Sequence, residues 1–223
     1  MYHYIQDKNY LNQLKSTCSN IVNQLVQIIN NDSAMAVQAC LVGSGAKNLV
    51  TQNANNPIDL DYNICIIDTK FTNINHGREI KEYIRKQFNK ALRKNGWGDC
   101  QDSTSALTTE KRVFDQGNKT AFSIDIGIAY ENNTGWHKLI HEKTGYANFD
   151  RYYWNEVPNS EQLEEKVYAI KSSHLWNEVR NTYLDKKNLY LQRNDSTHPS
   201  FIVYLETINE IYYKYIDKRN KFL

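Results

Sequence analysis

The sequence lacks the features that mark several whole classes of protein. It has only three prolines and nine glycines in 223 residues, and 40% of its residues are hydrophobic, which excludes a disordered chain. It has no apolar run near twenty residues and a mean hydropathy of −0.70, which argues against a membrane span. Lys and Arg number 27 against 25 Asp and Glu, so the chain is not a protein that binds nucleic acid through bulk charge alone.

Cysteine is sparse, and its spacing indicates no metal site. The four cysteines contain no CxxC pair, and two of them, Cys40 and Cys65, lie inside apolar segments as small buried residues do. Four cysteines allow three disulfide pairings, but the polar N-terminus predicts no signal peptide, so the reduced state is preferred. We therefore expect a cytoplasmic protein with free thiols and no membrane partner.

Helical periodicity is strongest towards the two ends of the chain. Apolar residues recur at steps of three and four between Asn9 and Asn31, which predicts an amphipathic helix. The same spacing predicts a second helix over 75–94, a third from 158 towards Tyr183 and a last one over 199–218. The first helix and the last two would flank a central region in which the second helix lies between strands.

Alternation of apolar and polar residues predicts the strands of that central region. The clearest strand, Ile58–Ile67, directs Asp59 and Asp61 to its polar face. A second strong strand, Phe122–Tyr130, carries Asp125 on its polar face. The carboxylates of both strands would therefore converge on one patch of sheet if the strands are neighbours.

The predicted fold class is α/β (α+β), with a mixed sheet between helices. A short buried strand over 35–42 and a weaker strand over 107–114 complete the sheet. The chain divides into an N-terminal helix (1–33) packing on the core, a catalytic core (34–157) and a C-terminal helical region (158–223). A cleft between the last two parts is a common place for a ligand.

The three acids predict a divalent metal site. Clustered carboxylates repel one another unless a cation joins them, and Mg²⁺, with Mn²⁺ as a substitute, is the hard ion that oxygen ligands favour. Asp59, Asp61 and Asp125 could together hold two ions. One ion would activate an attacking oxygen, and the other would neutralise a leaving phosphate.

A glycine–serine turn, Gly43-Ser44, follows the first predicted strand. Glycine lets the backbone approach a ligand, and the freed N–H groups and the serine hydroxyl favour an anion. The sequence contains neither GxxxxGK[ST] nor GxGxxG. The turn therefore predicts a phosphate site that is neither a Walker A loop nor a dinucleotide-binding loop.

A resemblance to the nucleotidyltransferase superfamily is carried by LVGSGAKNLV, PIDLDYNICI and FSIDIGIAY. That family, which includes DNA polymerase beta, CCA-adding enzymes and cyclic-nucleotide synthases, has an apolar strand, Gly-Ser, a spacer, an Asp-x-Asp strand and a third acidic strand. The likeness covers about 41–130. It implies an enzyme that transfers a nucleoside monophosphate from an NTP, above all ATP, to an acceptor hydroxyl with release of pyrophosphate and with two Mg²⁺ ions.

The resemblance also implies roles for individual residues. Gly43 and Ser44 would hold the β- and γ-phosphates, Asp59 and Asp61 would bind both metal ions, and Asp125 would complete one metal site and help to deprotonate the acceptor. Further phosphate contacts are expected from two lysines, Lys47 beside the turn and Lys171 in the C-terminal helix. Fourteen residues separate Ser44 from Asp59, more than usual, and the Asn-rich loop 52–56 would absorb the excess.

Two other functions remain open on the sequence alone. One is a catalytically inactive nucleotidyltransferase-like protein that serves as an antitoxin or scaffold. The other is a HEPN-type ribonuclease, because Arg193 and His198 fit its R-x4-H pattern. The acceptor (an antibiotic, a protein, a tRNA end or a second nucleotide) and the oligomeric state are not fixed, and nucleic acid is a partner that the net charge does not favour.

Two surface features have ordinary interpretations. The predicted helix over 76–94 carries seven basic residues against two acidic ones and is more often a solvated face than a polyanion site. His137 and His141, four residues apart, would lie on one face of a helix, but no third ligand is spaced with them. We therefore expect them to be surface histidines.

Overall fold

A seven-stranded mixed sheet forms the centre of the protein, which the computed structural model describes over residues 1–32, 34–69, 74, 76–133, 135–157, 162–195, 198 and 200–217. The strands are β1 Tyr2–Tyr4, β2 Met35–Leu41, β3 Thr51–Asn53, β4 Ile58–Thr69, β5 Gln101–Asp102, β6 Leu107–Thr108, β7 Phe122–Asn132, β8 Gly135–Glu142 and β9 Arg151–Glu156. The helices are α1 Lys8–Asn31, α2 Gly43–Ala46, α3 Gly77–Lys94, α4 Leu163–Ser172, α5 Trp176–Gln192 and α6 Ser200–Tyr212, with a 3₁₀ turn at Ala147–Phe149 and a π-helical turn at Tyr213–Asp217.

The sheet has the strand order β2-β4-β7-β6-β5, and β8 and β9 extend it beyond the end of β7. β4 and β7 are parallel, and the other pairs are antiparallel. Outside this sheet, β1 pairs with β3. The predicted α/β fold class with a mixed sheet is confirmed, and so are the strands predicted over 35–42, 58–67 and 122–130.

The apolar face of β4 and β7 is covered by α1 and α3. The buried residues of the two strands alternate, as the sequence pattern requires; among them are Ile58, Leu60, Tyr62, Ile64, Phe122, Ile124, Ile126 and Ile128. α1 begins where the Asp7 carboxylate accepts the Tyr10 N–H at 2.9 Å, a normal N-cap. Each fully buried Leu or Ile contributes about 1.5–3 kcal/mol, so this face supplies most of the stability of the fold.

The C-terminal helices form a second apolar cluster. It is built from α4, α5 and α6 and includes Val167, Ile170, Val179, Tyr183, Val203 and Ile208. Leu49, from the segment after α2, belongs to the same cluster. The helix predicted from 158 towards Tyr183 is two helices, because the chain turns at His174 with a left-handed φ of 57°. The three-part division of the chain stays a prediction.

The hairpin β8–β9 corrects one sequence interpretation. His137 and His141 lie on β8 and not on a helix. His141 is also not a surface residue, since it is only 5% exposed. Its spacing from His137 suits a helix, but the segment pairs with β7 and β9 instead.

His141 belongs to a buried group of opposite charges, here termed the β8 charge cluster: Lys81, Asp102, His141 and Asp150. The Lys81 ammonium lies 2.6 Å from Asp102 Oδ1. His141 Nδ1 lies 2.8 Å from Asp102 Oδ2, and its Nε2 lies 2.9 Å from Asp150 Oδ2. Basic and acidic side chains therefore alternate along the whole cluster.

Two smaller differences from the sequence predictions concern the edges of the sheet. The strand predicted over 107–114 is limited to β6, Leu107–Thr108, with an isolated bridge from Arg112 to Phe122. The Asn-rich loop contains β3, which pairs with β1, so part of the long spacer is ordered by the N-terminal strand. None of the described helices combines the length and apolar character that a bilayer-spanning segment requires.

Candidate active site

The glycine–serine turn lies directly against the acidic strand β4. The Val42 N–H donates to the Asp61 carbonyl oxygen at 2.8 Å, and Gly43 has a φ of +60°. A Cβ on Gly43 would lie 2.6 Å from Asp61 Oδ2, so only glycine fits both the backbone conformation and the contact. The helical turn begins at Gly43 itself and ends at Ala46.

Asp61 and Asp125 lie opposite each other on the parallel strands β4 and β7. Burial, and next the negative charge of Asp125, raise the pKa of Asp61 to about 6. Burial also raises the pKa of Asp125, with a further contribution from Asp59 that a hydrogen bond from Thr108 opposes. Asp125 Oδ1 is buried and has no hydrogen-bond partner among the described residues. We refer to Asp61 and Asp125 as the acid pair.

Asp59 does not join the acid pair as closely as the sequence suggested. It lies opposite Ser123 in the register, and its Oδ1 accepts a hydrogen bond from Ser123 Oγ at 2.5 Å. Within the described part of the chain, no three Asp, Glu, His or Cys side chains are placed to hold a metal ion as they stand. The three-acid metal set therefore stays a prediction.

The acid pair nevertheless has the chemistry of a divalent cation site. Its donors are carboxylate oxygens, which hard ions such as Mg²⁺ and Mn²⁺ favour. One of these oxygens, Asp125 Oδ1, is buried without a hydrogen-bond partner among the described residues. The pKa of each carboxyl group is raised, so ionising both costs free energy. A cation between them would satisfy the oxygen and remove the repulsion.

A lysine that sequence reasoning missed, Lys187 of α5, faces this site. Its ammonium donates to Thr51 Oγ1 at 3.0 Å and to Ser200 Oγ at 3.2 Å. Burial lowers the pKa of Lys187 to about 8, and the charge of Asp61 acts in the opposite direction. Nothing in the local sequence DKKNLY marks this lysine, because only the packing of α5 beside β3 brings it to Asp61.

A second missed lysine, Lys138, approaches the acid pair from β8. Its positive charge lowers the pKa of both Asp61 and Asp125, against the larger effect of burial. It reaches this position above Gly127, where a Cβ would lie 3.2 Å from Lys138 Cε. Its contribution was not predicted because β8 itself was not predicted.

The structure brings together the two lysines that the sequence assigned to phosphate binding. Burial lowers the pKa of Lys47, and the positive charge of Lys171 lowers it further. The Lys47 ammonium lies 5.2 Å from the centre of the Tyr204 ring, and that of Lys171 lies 5.1 Å from the Trp176 ring. Two cations that repel each other next to the end of α2 favour an anion between them.

The R-x4-H segment has a structural explanation. Arg193 is the C-cap residue of α5. His198 Nδ1 lies 2.9 Å from Asp195 Oδ2, and its Nε2 lies 3.4 Å from Glu206 Oε1. The His198 ring also stacks on Tyr190 with 4.0 Å between centroids. Carboxylates face both ring nitrogens, so the geometry gives the ribonuclease alternative no support.

Comparison with solved structures identifies the fold. The chain is similar to CdnC of E. coli MS115-1 in its structure with ATP, with a TM-score of 0.58 and 14% sequence identity over 95% of this chain and 61% of that chain. It is also similar to the Vibrio cholerae cyclic AMP-GMP synthase DncV in complex with the linear intermediate pppA(3′,5′)pG, with a TM-score of 0.58 and 11% identity over 92% of this chain and 68% of that one. The chain therefore has the nucleotidyltransferase fold.

The likeness is one of structure and not of sequence. No protein-family model matches the chain, and no curated protein matches it significantly. The chain spans about three fifths of the length of the CdnC chain that it matches. The activity, substrates and partners of those proteins are therefore considered below only as proposals for this one.

Proposed function

We propose that the protein is a metal-dependent nucleotidyltransferase that moves a nucleoside monophosphate from an NTP to an acceptor hydroxyl and releases pyrophosphate. The observation that supports this most is the placement of Asp61 directly against Gly43, with Asp61 Oδ2 2.6 Å from where a Cβ would lie, and of Asp125 opposite Asp61 on the next strand. A glycine–serine turn beside two half-buried carboxylates of like charge suits a reaction in which phosphate oxygens and divalent cations meet.

The proposed metal ligands are Asp59, Asp61 and Asp125, with Asp59 leaving its hydrogen bond to Ser123. Bound Mg²⁺, as two ions, would supply charge neutralisation at the phosphates and a lowered pKa at the acceptor hydroxyl. Asp125 is the proposed proton acceptor, because its Oδ1 is buried and without a partner among the described residues.

The proposed triphosphate site uses the turn and three lysines, of which Lys47 directly follows the turn. Gly43 and Ser44 would approach the β- and γ-phosphates through backbone N–H groups and the serine hydroxyl. Lys187 would add its ammonium, which is already held by Thr51 and Ser200. The paired cations Lys47 and Lys171 would lie further out. Together these groups offset the charge of a triphosphate without a Walker A loop.

We further propose that the acceptor is a second nucleotide, as the likeness to a cyclic AMP-GMP synthase favours. ATP is the proposed donor, because the CdnC structure that the chain resembles was determined with ATP. The buried or half-buried free thiols of Cys18, Cys40, Cys65 and Cys100 are consistent with the proposed cytoplasmic location.

The test is turnover of each of the four labelled NTPs, alone and in pairs, in the presence of Mg²⁺. We expect release of pyrophosphate and a product in which nucleotides are joined by a phosphodiester bond. The double variant Asp59→Ala/Asp61→Ala is the control and is expected to form no product. If the wild-type protein neither binds nor turns over any NTP, the proposal fails and the inactive scaffold becomes the better description.

A further inference from the structure

The N-terminal strand β1 is attached to α5 by an unusual pair of hydrogen bonds. The Tyr2 N–H donates to Asn188 Oδ1 at 2.6 Å, and Asn188 Nδ2 donates to the Tyr2 carbonyl oxygen at 3.1 Å. The side-chain amide of Asn188 therefore pairs with the Tyr2 backbone as a neighbouring strand would. Asn188 follows Lys187 directly, so this attachment lies beside the proposed phosphate-binding lysine.

A second attachment lies two residues along the strand. The Tyr4 hydroxyl donates to the Arg180 carbonyl oxygen at 2.6 Å. The Arg180 guanidinium lies 4.0 Å from the centre of the Tyr4 ring. β1 is thus fixed to α5 at both ends, while its backbone pairs with β3 on the other side.

The consequence is that the Tyr2 ring covers the ammonium of Lys187. The distance from Lys187 Nζ to the ring centre is 4.0 Å, whereas Tyr183, on the same helix, lies at 5.7 Å. The hydroxyls of Thr51 and Ser200 accept two hydrogen bonds from the same ammonium. Within the described residues, no carboxylate lies in salt-bridge range of Lys187, so the ring is its closest electrostatic partner besides these two hydroxyls.

We propose that Tyr2 is a positioning residue that holds the Lys187 ammonium in place for the triphosphate of the NTP. This inference rests on the proposed function. A lysine side chain loses rotamer freedom when it is fixed. Because the ring and two hydroxyls fix Lys187 before the nucleotide arrives, that entropy does not oppose NTP binding.

The expected effect lies in affinity and not in the chemical step. Lys187 would contact the phosphates both in the bound substrate and in the transition state, and loss of such uniform binding raises KM with little change in kcat. A desolvated cation–π contact is strong enough to change affinity by about 5- to 10-fold. Removal of the Tyr2 ring should therefore change KM by about that factor.

The experiment measures KM, kcat and the Kd for ATP with Mg²⁺ in the full chain carrying Tyr2→Leu. We expect KM and Kd to rise about 5- to 10-fold and kcat to change less than about 2-fold. Tyr2→Phe keeps the ring and should rescue most of the affinity. His3→Ala is the matched control, because it changes an exposed side chain of the same strand and keeps both attachments to α5, and it should leave KM within about 2-fold of wild type.

A double-mutant cycle then separates positioning from a general structural effect. In the Lys187→Ala background, Tyr2→Leu should cause no further rise in KM, because the group that it positions is gone. An equal rise in both backgrounds, or an unchanged KM in Tyr2→Leu alone, would overturn the inference. If Tyr2→Leu does not fold, Asn188→Ser, which removes only the two hydrogen bonds to the Tyr2 backbone, must raise KM in the same way. Failure of the wild-type protein to bind ATP would instead refute the proposed function.

Discussion

Two buried groups of ionisable residues in this protein are built on opposite electrostatic principles. In the β8 charge cluster, the basic side chains of Lys81 and His141 alternate with the carboxylates of Asp102 and Asp150, with contacts between 2.6 and 2.9 Å. In the acid pair, two carboxylates face each other, and Asp125 Oδ1 has no partner among the described residues. In the first arrangement each carboxylate has a basic partner, Lys81 or His141, whereas in the second the two carboxylates have each other as nearest register partners.

The pKa values of the two groups express the same contrast. A hydrogen bond from the Thr144 N–H, and next one from His141, lower the pKa of Asp150 to about 2. Burial and the charge of Asp125 raise the pKa of Asp61 to about 6. Buried charge alone therefore does not distinguish a functional site from a structural one. The sign of the neighbouring charges does so, because unrelieved repulsion weakens the fold unless a ligand relieves it.

The largest expected effect is that of Asp61→Asn, which separates function from stability. We expect NTP turnover to fall about 10³-fold or more, because a proposed metal ligand is lost. The free energy of unfolding should rise by about 2 kcal/mol without metal, because no carboxylate then ionises in this desolvated position beside Asp125. Product formation measures the turnover, and urea unfolding measures the free energy of unfolding. Asp68→Asn, at an exposed position of the same strand, is the control. A loss of stability in Asp61→Asn would contradict the proposed contrast between the acid pair and the β8 charge cluster.

The next largest effect should be a loss of stability, with unchanged nucleotide binding, in a variant of the β8 charge cluster. Lys81 is 2% exposed, and Lys81→Met would leave Asp102 with one counter-charge fewer. We expect a loss of about 3 kcal/mol in unfolding free energy and no change in the KM for ATP. Lys86→Met, on the exposed side of α3, should change stability by less than about 0.5 kcal/mol. Equal losses in the two variants would show that the cluster has no special role.

The pH dependence of stability should differ in sign between the two groups. Because the folded-state pKa of Asp61 is raised from 3.8 to about 6, its contribution is present below pH 3.8 and is lost as the pH rises through about 6. The folded-state pKa of Asp150 is lowered from 3.8 to about 2, so its contribution is present above pH 3.8 and is lost as the pH falls through about 2.

Urea unfolding of the metal-free protein across this pH range measures both slopes. The fall in stability between pH 3.8 and about 6 should be absent in Asp61→Asn, whereas the change on the acid side should remain. A wild-type profile that rises steadily up to pH 6 and is unchanged in Asp61→Asn would mean that the acid pair carries no repulsion.

The smallest expected effect compares two glycines. Gly43 and Gly96 both have a left-handed φ, +60° and +71°, but a Cβ on Gly96 would have no atom within 4 Å. Alanine at either position should cost about 1 kcal/mol of stability. Only Gly43→Ala should also lower NTP turnover, by about 10-fold, because its Cβ displaces the Asp61 carboxylate. Equal turnover in the two variants would remove Gly43 from the site.

The parts of the fold that could be predicted from sequence are those in which local pattern and tertiary environment agree. β4 and β7 were predicted because one face is buried and the other polar, so the alternation is visible. The alternation also predicts that Asp61 and Asp125 share the polar face of the sheet, whereas the register that pairs them is seen only in the structure. The metal and phosphate assignments depend on chemistry that no pattern tests, and they remain predictions.

The parts that were missed depend on contacts between distant segments. β8 has histidines at helical spacing, and its strand form comes from pairing with β7 and β9. Asp59 was expected to join the other acids, but the hydroxyl of Ser123 on the adjacent strand holds it. Lys187 lies near enough to be influenced by the charge of Asp61 only because β1 and β3 pack against α5. β1 is too short to be predicted from alternation.

The most direct measurement of the central claim is calorimetric binding of ATP to the full chain, with Mg²⁺ and with EDTA, in wild type and Asp61→Asn. The central claim is that the acid pair, with Asp61 against Gly43, forms a metal-dependent nucleotide site. Wild type should then bind ATP tightly with Mg²⁺ and weakly with EDTA, and Asp61→Asn should bind ATP weakly under both conditions. Binding that is equally tight in EDTA, or unchanged in Asp61→Asn, would contradict the account.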